Sequence, residues 1–279
     1  MKNPYVPAPA KIERIVTETE DRNIKSFDLS FMNKANEEDF RFVPGQFAEI
    51  SISGKGEAPF GIASSPTEKG FLKFSVNKAG VVTTALHNLE EGEIVGVRGP
   101  LGNCYPIGAL ENKNVVIVSG GFAFTTLRSL TRYMLHEENR ARFKDITVIY
   151  GARTPGLLLY KDELDAWRER DDLDLHVTID SAVEGWKGKV GFVPTITQEV
   201  APSSEDAFAL VCGPPIMIKF TIPILQKLGF LSERIILSLE MRMKCGIGMC
   251  GRCNIGSQYV CKDGPVFTLG ELSELPGEY

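Results

Sequence analysis

From residue 114 to about residue 229 the chain alternates strand-like and helix-like segments, which leaves few folds open to it. "NVVIVSGG" reads as a buried strand, "FTTLRSLTRYMLHEE" as a helix, "DITVIYG" as a strand and "KDELDAWRE" as a helix. "LDLHVTID" and "DAFALVCG" read as further strands, "PIMIKFTIPILQKLG" as a helix, and "RIILSLE" as a last short strand. Apolar runs separated by amphipathic helices predict a parallel sheet with helices on both faces, because each strand is then buried on two sides.

The first hundred residues follow a different grammar. "KIERIVTE", "IKSFDLSF", "QFAEISIS", "FLKFSVN" and "EIVGVRG" are short β-type runs separated by turn residues, with one helical interruption at "TTALHNLE". Closely spaced strands without intervening helices predict an antiparallel barrel or sandwich. The boundary falls between Gly102 and Lys113. The expected organisation is a β-barrel over 1–105, an α/β parallel-sheet domain over 106–232 and a small cysteine-bearing lobe over 233–279. A chain of 279 residues with 43% hydrophobic content can bury cores of that size. Lys and Arg total 31 against 36 Asp and Glu, so no basic footprint invites nucleic acid or anionic lipid. The opening "MKNPYVPAPAKIERIV" carries no apolar h-region, and no segment approaches the roughly 18 apolar residues of a membrane span. A cytoplasmic protein is expected.

"KCGIGMCGRCNIGSQYVCKDG", residues 244–264, holds four of the six cysteines. In a reducing compartment such thiols are more often metal ligands or redox groups than disulfides. Cys245, Cys250, Cys253 and Cys261 are spaced C-x4-C-x2-C-x7-C, and the first three match the run that holds a plant-type 2Fe-2S cluster. Gly246, Gly248 and Gly251 let the backbone turn N–H groups towards sulfur, and Arg242, Lys244 and Arg252 offset the cluster's negative charge. A structural zinc site with four cysteine ligands is the alternative, although such sites usually pair two short C-x2-4-C hooks across a longer gap. Cys104 and Cys212 are isolated in sequence, and burial is expected for both.

"VCGPPIM", "LEMRMKCGIGMCGRC" and "YVCKDGPVF" together resemble the ferredoxin-NADP reductase superfamily. Within it the likeness is to the flavin subunits of the sulfhydrogenase gamma and anaerobic sulfite reductase B type. The electron-transfer subunit of dihydroorotate dehydrogenase is a more distant relative. The resemblance implies an FAD barrel entered through "PGQF", residues 44–47. "APFGIASSP" stands where the superfamily has Arg-x-Tyr-Ser. Phe60 then takes the place of the aromatic ring by the flavin and Gly61 that of a serine near N5, with Ala58 replacing the arginine. The backbone of Gly61 and Ile62, followed by Ala63, would meet the flavin edge. Val76 and Asn77 lead into "NKAGVVTTAL", where Gly80, Val82, Thr83 and Thr84 open a helix whose N–H groups would hold the FAD pyrophosphate.

The resemblance also implies a nicotinamide site. "VVIVSGGFAFTTLRSL" matches the strand, glycine turn and helix of a motif close to G-G-x-G-x-A-P. It keeps Gly120 and Gly121 but has Ala123, Thr125 and Thr126 where Gly, Ala and Pro are usual. A methyl at Ala123 stands to obstruct the pyrophosphate or forbid a positive φ, and Thr125 or Thr126 offers a compensating hydroxyl. Cys212, Gly213 and Pro214 match the strand end that faces the nicotinamide, with Met217 in the following helix. Arg153 of "YGAR" either pairs with a 2'-phosphate or is a solvated surface charge. The histidines at 87, 136 and 176 form no ligand or triad pattern.

These parts predict an electron-transfer flavoprotein subunit that moves electrons between NAD(P)H, FAD and a 2Fe-2S cluster. Its partner would be a protein carrying further iron-sulfur centres: a hydrogenase, sulfite reductase or heterodisulfide-reductase-like complex. The alternative is an electron conduit whose nucleotide site has lapsed. No acid-base dyad is needed, only nicotinamide held against flavin.

Overall fold

The computed structural model describes residues 3–277. Six strands, β1 (Ala8–Thr17), β2 (Ile24–Phe31), β3 (Phe47–Ile52), β4 (Gly56–Gly61), β5 (Leu72–Asn77) and β6 (Ile94–Leu101), form an antiparallel sheet in the order β4-β3-β6-β1-β2-β5. Its edges meet where the Ala63 N–H donates to the Lys73 carbonyl at 2.8 Å and the Lys73 N–H to Ser64 Oγ at 3.0 Å. The sheet is therefore a barrel rather than a sandwich. Alternate residues such as Ile12, Phe27, Ile50 and Phe74 turn inward to fill it. Strand β4 had no clear signal, since "GEAPFG" carries Pro59 and two glycines; such residues are tolerated on a sheet edge.

The second sheet joins β7 (Asn114–Gly120), β8 (Ile146–Ala152), β9 (Asp174–Ile179), β10 (Lys189–Val190), β11 (Ala207–Cys212) and β12 (Ile235–Ser238). After a two-residue ribbon, β13 (Asn254–Ile255) with β14 (Gln258–Tyr259), comes β15 (Val266–Thr268). The sheet order is β10-β9-β8-β7-β11-β12-β15, parallel except for the last pair. Its strands are apolar on both faces. Val115, Ile117 and Tyr150 pack under helix Phe124–Leu135, while Val116, Val118 and Ile149 face helices Val193–Val200 and Pro215–Lys227. The strand order reverses between β7 and β11, so their C-terminal ends flank a crevice of the kind that binds ligands in open α/β sheets.

The run "FTTLRSLTRYMLHEE" is interrupted after Leu135. His136 is extended, and its Nδ1 accepts the Glu138 N–H to start a separate turn, Glu137–Arg140. The cysteine segment is built onto the α/β sheet, because β12 precedes it and β15 follows it as an edge strand. Among the described residues no helix is long and apolar enough to cross a membrane.

Candidate functional site

The end of β4 and the end of β11 converge on one side chain, Thr126. A Cβ added to Gly61 would lie 2.6 Å from Thr126 Cγ2, so the threonine methyl fills the space that a side chain at residue 61 would take. On its other side, Thr126 Oγ1 lies 3.6 Å from Cys212 Sγ. Burial pushes the Cys212 thiol up to about 11, so it stays protonated and donates to the Ser238 carbonyl. Phe60 is buried beside Gly61. The Ile62 N–H donates to the Gln46 carbonyl at 3.1 Å. Ala63 is similarly engaged: its carbonyl accepts from Arg128 at 2.6 Å, in addition to its N–H bond across the barrel closure.

A groove runs beside helix Val81–His87. Lys55, Gly80, Val81, Thr84, Ala85 and Asn88 line a cavity of about 530 Å³. A Cβ at Gly80 would meet nothing closer than Thr83 Oγ1 at 4.0 Å, which leaves the backbone open to a phosphate. Thr83 serves the turn itself: its Oγ1 accepts the N–H groups of Ala79 and Gly80 and donates to the Gly80 carbonyl. Val82 lies half-buried in the first turn of this helix, and Asn77 is exposed at the end of β5. The Val76 carbonyl is taken by buried His87, whose Nε2 lies 2.8 Å away. Lys55, on the β3–β4 turn, adds a cation to this groove. Nothing local singles it out, since it reaches the groove only once the hairpin is folded.

In the crevice between β7 and β11, Met217 fills the space between the two glycine turns. A Cβ at Gly120 would meet its Sδ at 2.7 Å, and one at Gly213 its Cε at 2.3 Å. Gly121 has φ +58° with open space around it, so the turn keeps one unobstructed approach. The concern over φ at Ala123 is resolved: its backbone is ordinary right-handed helix, φ −65° and ψ −15°. Thr125 is buried away from the opening, leaving Thr126 as the threonine at the junction. Pro214 and Arg153 are exposed at the ends of β11 and β8.

The cysteine loop lies against the outer face of the barrel, where a Cβ at Gly246 would lie 2.7 Å from Leu101 Cδ1 and 3.2 Å from Glu49 Oε1. At φ +70° only glycine takes that turn without strain. Main-chain N–H groups point at the sulfurs: Gly248 to Cys261 Sγ at 3.1 Å, Met249 and Cys250 to Cys245 Sγ at 3.3 and 3.4 Å, and Cys261 to Cys253 Sγ at 3.4 Å. Partial burial works against the Cys245 thiolate, but the N–H groups of Ile247, Met249 and Cys250 outweigh it and hold its pKa well below the usual thiol value. The thiols approach in two pairs, Cys245 with Cys250 and Cys253 with Cys261. Among the described residues no three Cys, His, Asp or Glu side chains gather about one point. Two cysteine pairs ringed by N–H donors fit a two-iron cluster, in which each iron takes two cysteines. Glu49, beneath the loop, is wholly buried with both oxygens unbonded, and desolvation raises its pKa to about 7 against the pull of Arg98. Cys104 is half-buried and Cys212 buried.

Arg128 locks the barrel to the α/β sheet. It is 1% exposed, ion-paired to Glu68 at 3.0 Å and to Glu163 at 2.5 Å, and lies over the Tyr160 ring. Burial pushes the Glu68 carboxyl up, but pairing with Arg128 more than compensates and holds it below the ordinary range.

Three family models match along the chain: an oxidoreductase FAD-binding domain over residues 10–105, an oxidoreductase NAD-binding domain over 117–222, and the iron-sulfur cluster binding domain of dihydroorotate dehydrogenase B over 240–273. With the fold, they define an FAD- and NAD(P)-dependent oxidoreductase with an iron-sulfur centre, built to transfer electrons. The chain belongs to the family of sulfhydrogenase gamma subunits and dihydroorotate dehydrogenase B electron-transfer subunits. It is 37% identical to sulfhydrogenase 1 subunit gamma of Pyrococcus furiosus, over 99% of this chain and 95% of that one. A probable dihydroorotate dehydrogenase B (NAD(+)) electron transfer subunit of Methanocaldococcus jannaschii is 34% identical over 94% and 89%. Among solved structures, a chain of the NADH-dependent reduced ferredoxin-NADP oxidoreductase, studied for flavin-based electron bifurcation, superposes with TM-score 0.75 at 27% identity, over 99% of this chain and 91% of that one.

Proposed function

We propose that this chain is the subunit through which a larger redox complex exchanges electrons with NAD(P)H. The flavin would sit in the barrel over 1–105, the nicotinamide nucleotide on 106–232, and the cluster within 233–279. The observation that carries this reading is the convergence of Gly61 and Cys212 on Thr126, which brings the flavin motif and the nicotinamide motif to one junction. A flavin bound there supplies the link between two-electron hydride exchange and one-electron transfer to the cluster.

Each part of the chain has a task. Lys55 and the backbone at Gly80 anchor the pyrophosphate, and the neutral Cys212 thiol borders the hydride path without adding charge. Cys245, Cys250, Cys253 and Cys261 would hold the cluster. Met249 and Cys250 are exposed, so the cluster's outer side is open to a docked protein with its own iron-sulfur centres.

Anaerobic rapid mixing with NADH and NADPH tests the reading, since either nucleotide should bleach the flavin's visible band. The conduit alternative draws on Met217, which occupies the crevice between Gly120 and Gly213. A flavin that stays oxidised with both nucleotides, yet is reduced by electrons entering through the cluster, would establish that alternative instead.

A further inference from the structure

Thr126 stands between the two motifs with a hydroxyl that its neighbours hold only through long contacts. Its Oγ1 reaches the Ala123 carbonyl at 3.2 Å and Cys212 Sγ at 3.6 Å. A single proton serves both, and the first is already longer than the roughly 2.7–2.8 Å of a good O–H···O bond. Beside it lies Tyr105, 1% exposed, whose hydroxyl has no hydrogen-bond partner. That hydroxyl faces Thr126, Cys212 and Ser238. Buried hydroxyls are nearly always paired, so the unpaired Tyr105 beside a half-buried threonine with long contacts marks a place where an acceptor belongs. Cys212 is not that acceptor: it is a neutral thiol already turned towards the Ser238 carbonyl.

Gly61 supplies the other half of the argument. It has no side chain to offer a cofactor, and the Thr126 methyl occupies the volume where one would begin. The hydroxyl carried on the same Cβ is thereby brought to the end of β4.

We propose that Thr126 donates a hydrogen bond to the reactive edge of the bound flavin, delivered from the nucleotide domain in place of a side chain at residue 61, with Tyr105 donating to Thr126 Oγ1 behind it. This rests on the FAD-binding reading above. The unpaired Tyr105 proton and the weakly held Thr126 proton are then both used, and each bond polarises the next. The flavin contact also depends on the two domains staying docked, because barrel and hydroxyl belong to different sheets.

Three variants of the full chain, purified anaerobically, test this. Thr126→Val keeps the methyl packed on Gly61 and deletes the hydroxyl; Thr126→Ser does the reverse; Tyr105→Phe removes the hydroxyl behind. Thr126→Val is expected to retain FAD, shift the flavin's visible spectrum and midpoint potential, and slow flavin reduction at saturating nucleotide about tenfold. Thr126→Ser should match wild type in spectrum and potential, and Tyr105→Phe should move both in the Val direction by less. A Val variant with wild-type spectrum and potential, or a Ser variant displaced as far as Val, overturns the inference. If Thr126→Val loses FAD, Tyr105→Phe decides alone: a moved spectrum supports the hydroxyl pair and an unmoved one overturns it. Wild-type protein that holds no FAD overturns the underlying reading as well, whereas FAD-bound wild type with an unmoved Val variant overturns this inference only.

Discussion

Asn103 and Val266 face each other like paired strand residues: Asn103 Nδ2 donates to the Val266 carbonyl at 2.7 Å, and Asn103 Oδ1 accepts the Val266 N–H at 2.9 Å. Asn103 Nδ2 also donates to the Asp263 carbonyl at 2.8 Å, so the barrel's exit is tied to the segment that follows the last cysteine. Asn103→Ala deletes three side-chain hydrogen bonds. At about 1 kcal/mol each, the expected loss is about 2–3 kcal/mol in urea unfolding. Iron should also pass to a chelator faster while FAD content is unchanged. Wild-type stability together with wild-type iron release would refute the tie.

Arg128→Met should cost about 3–5 kcal/mol, because it leaves Glu163 without its arginine partner and Glu68 with only the more distant Arg132 at 3.4 Å. The pH dependence has a defined sign. The folded-state pKa of Glu68 lies below its unfolded value, so its stabilisation is fully present above the unfolded pKa of about 4.3 and is lost as pH falls through the folded value. Wild type should therefore lose stability in acid faster than Arg128→Met, an outcome read by thermal unfolding across pH 3–6.

What the sequence made legible was local. The alternation after residue 114 and the C-x4-C-x2-C run carry their meaning within a few residues, through strand and helix periodicity and ligand spacing. Arg128 was not legible, since an arginine between Ser129 and Leu127 looks like a helix surface until Glu68 and Glu163 arrive from other elements. That the Ile62 N–H is engaged was equally hidden, because its partner, the Gln46 carbonyl, lies sixteen residues earlier, before β3. Strand β15 escaped for the same reason: three residues have no periodicity, and only pairing with β12 makes them a strand.

Ala123→Gly should change nucleotide affinity by less than about twofold. The sequence alone suggested strain or obstruction at this alanine, but its backbone is right-handed helical, a conformation glycine only loosens. Met217→Ala is the informative change in the crevice. Removing the thioether that fills the space between Gly120 and Gly213 should lower KM for NAD(P)H if the side chain must move aside, and raise it if the nucleotide packs on the sulfur. An unaltered KM would mean that the crevice is not the nicotinamide site. Titration of flavin bleaching with NADH and NADPH measures all three outcomes.

Cys250→Ser tests the metal centre most directly. Cys250 is the exposed member of its thiol pair, so a serine there removes one ligand with little disturbance to packing. Wild-type protein purified without oxygen should contain about two irons and two acid-labile sulfides per chain. The Ser variant should lose most of both and keep FAD, because Cys250 is exposed and lies outside the barrel over 10–105 that matches the FAD-binding domain. Flavin bleaching by NAD(P)H should persist, whereas electron transfer to a one-electron protein acceptor should fall at least about tenfold, the flavin then lacking its outlet. One zinc per chain without sulfide in the wild type would replace the cluster by a structural metal. Loss of FAD together with iron would show that the lobe and barrel fold as one unit.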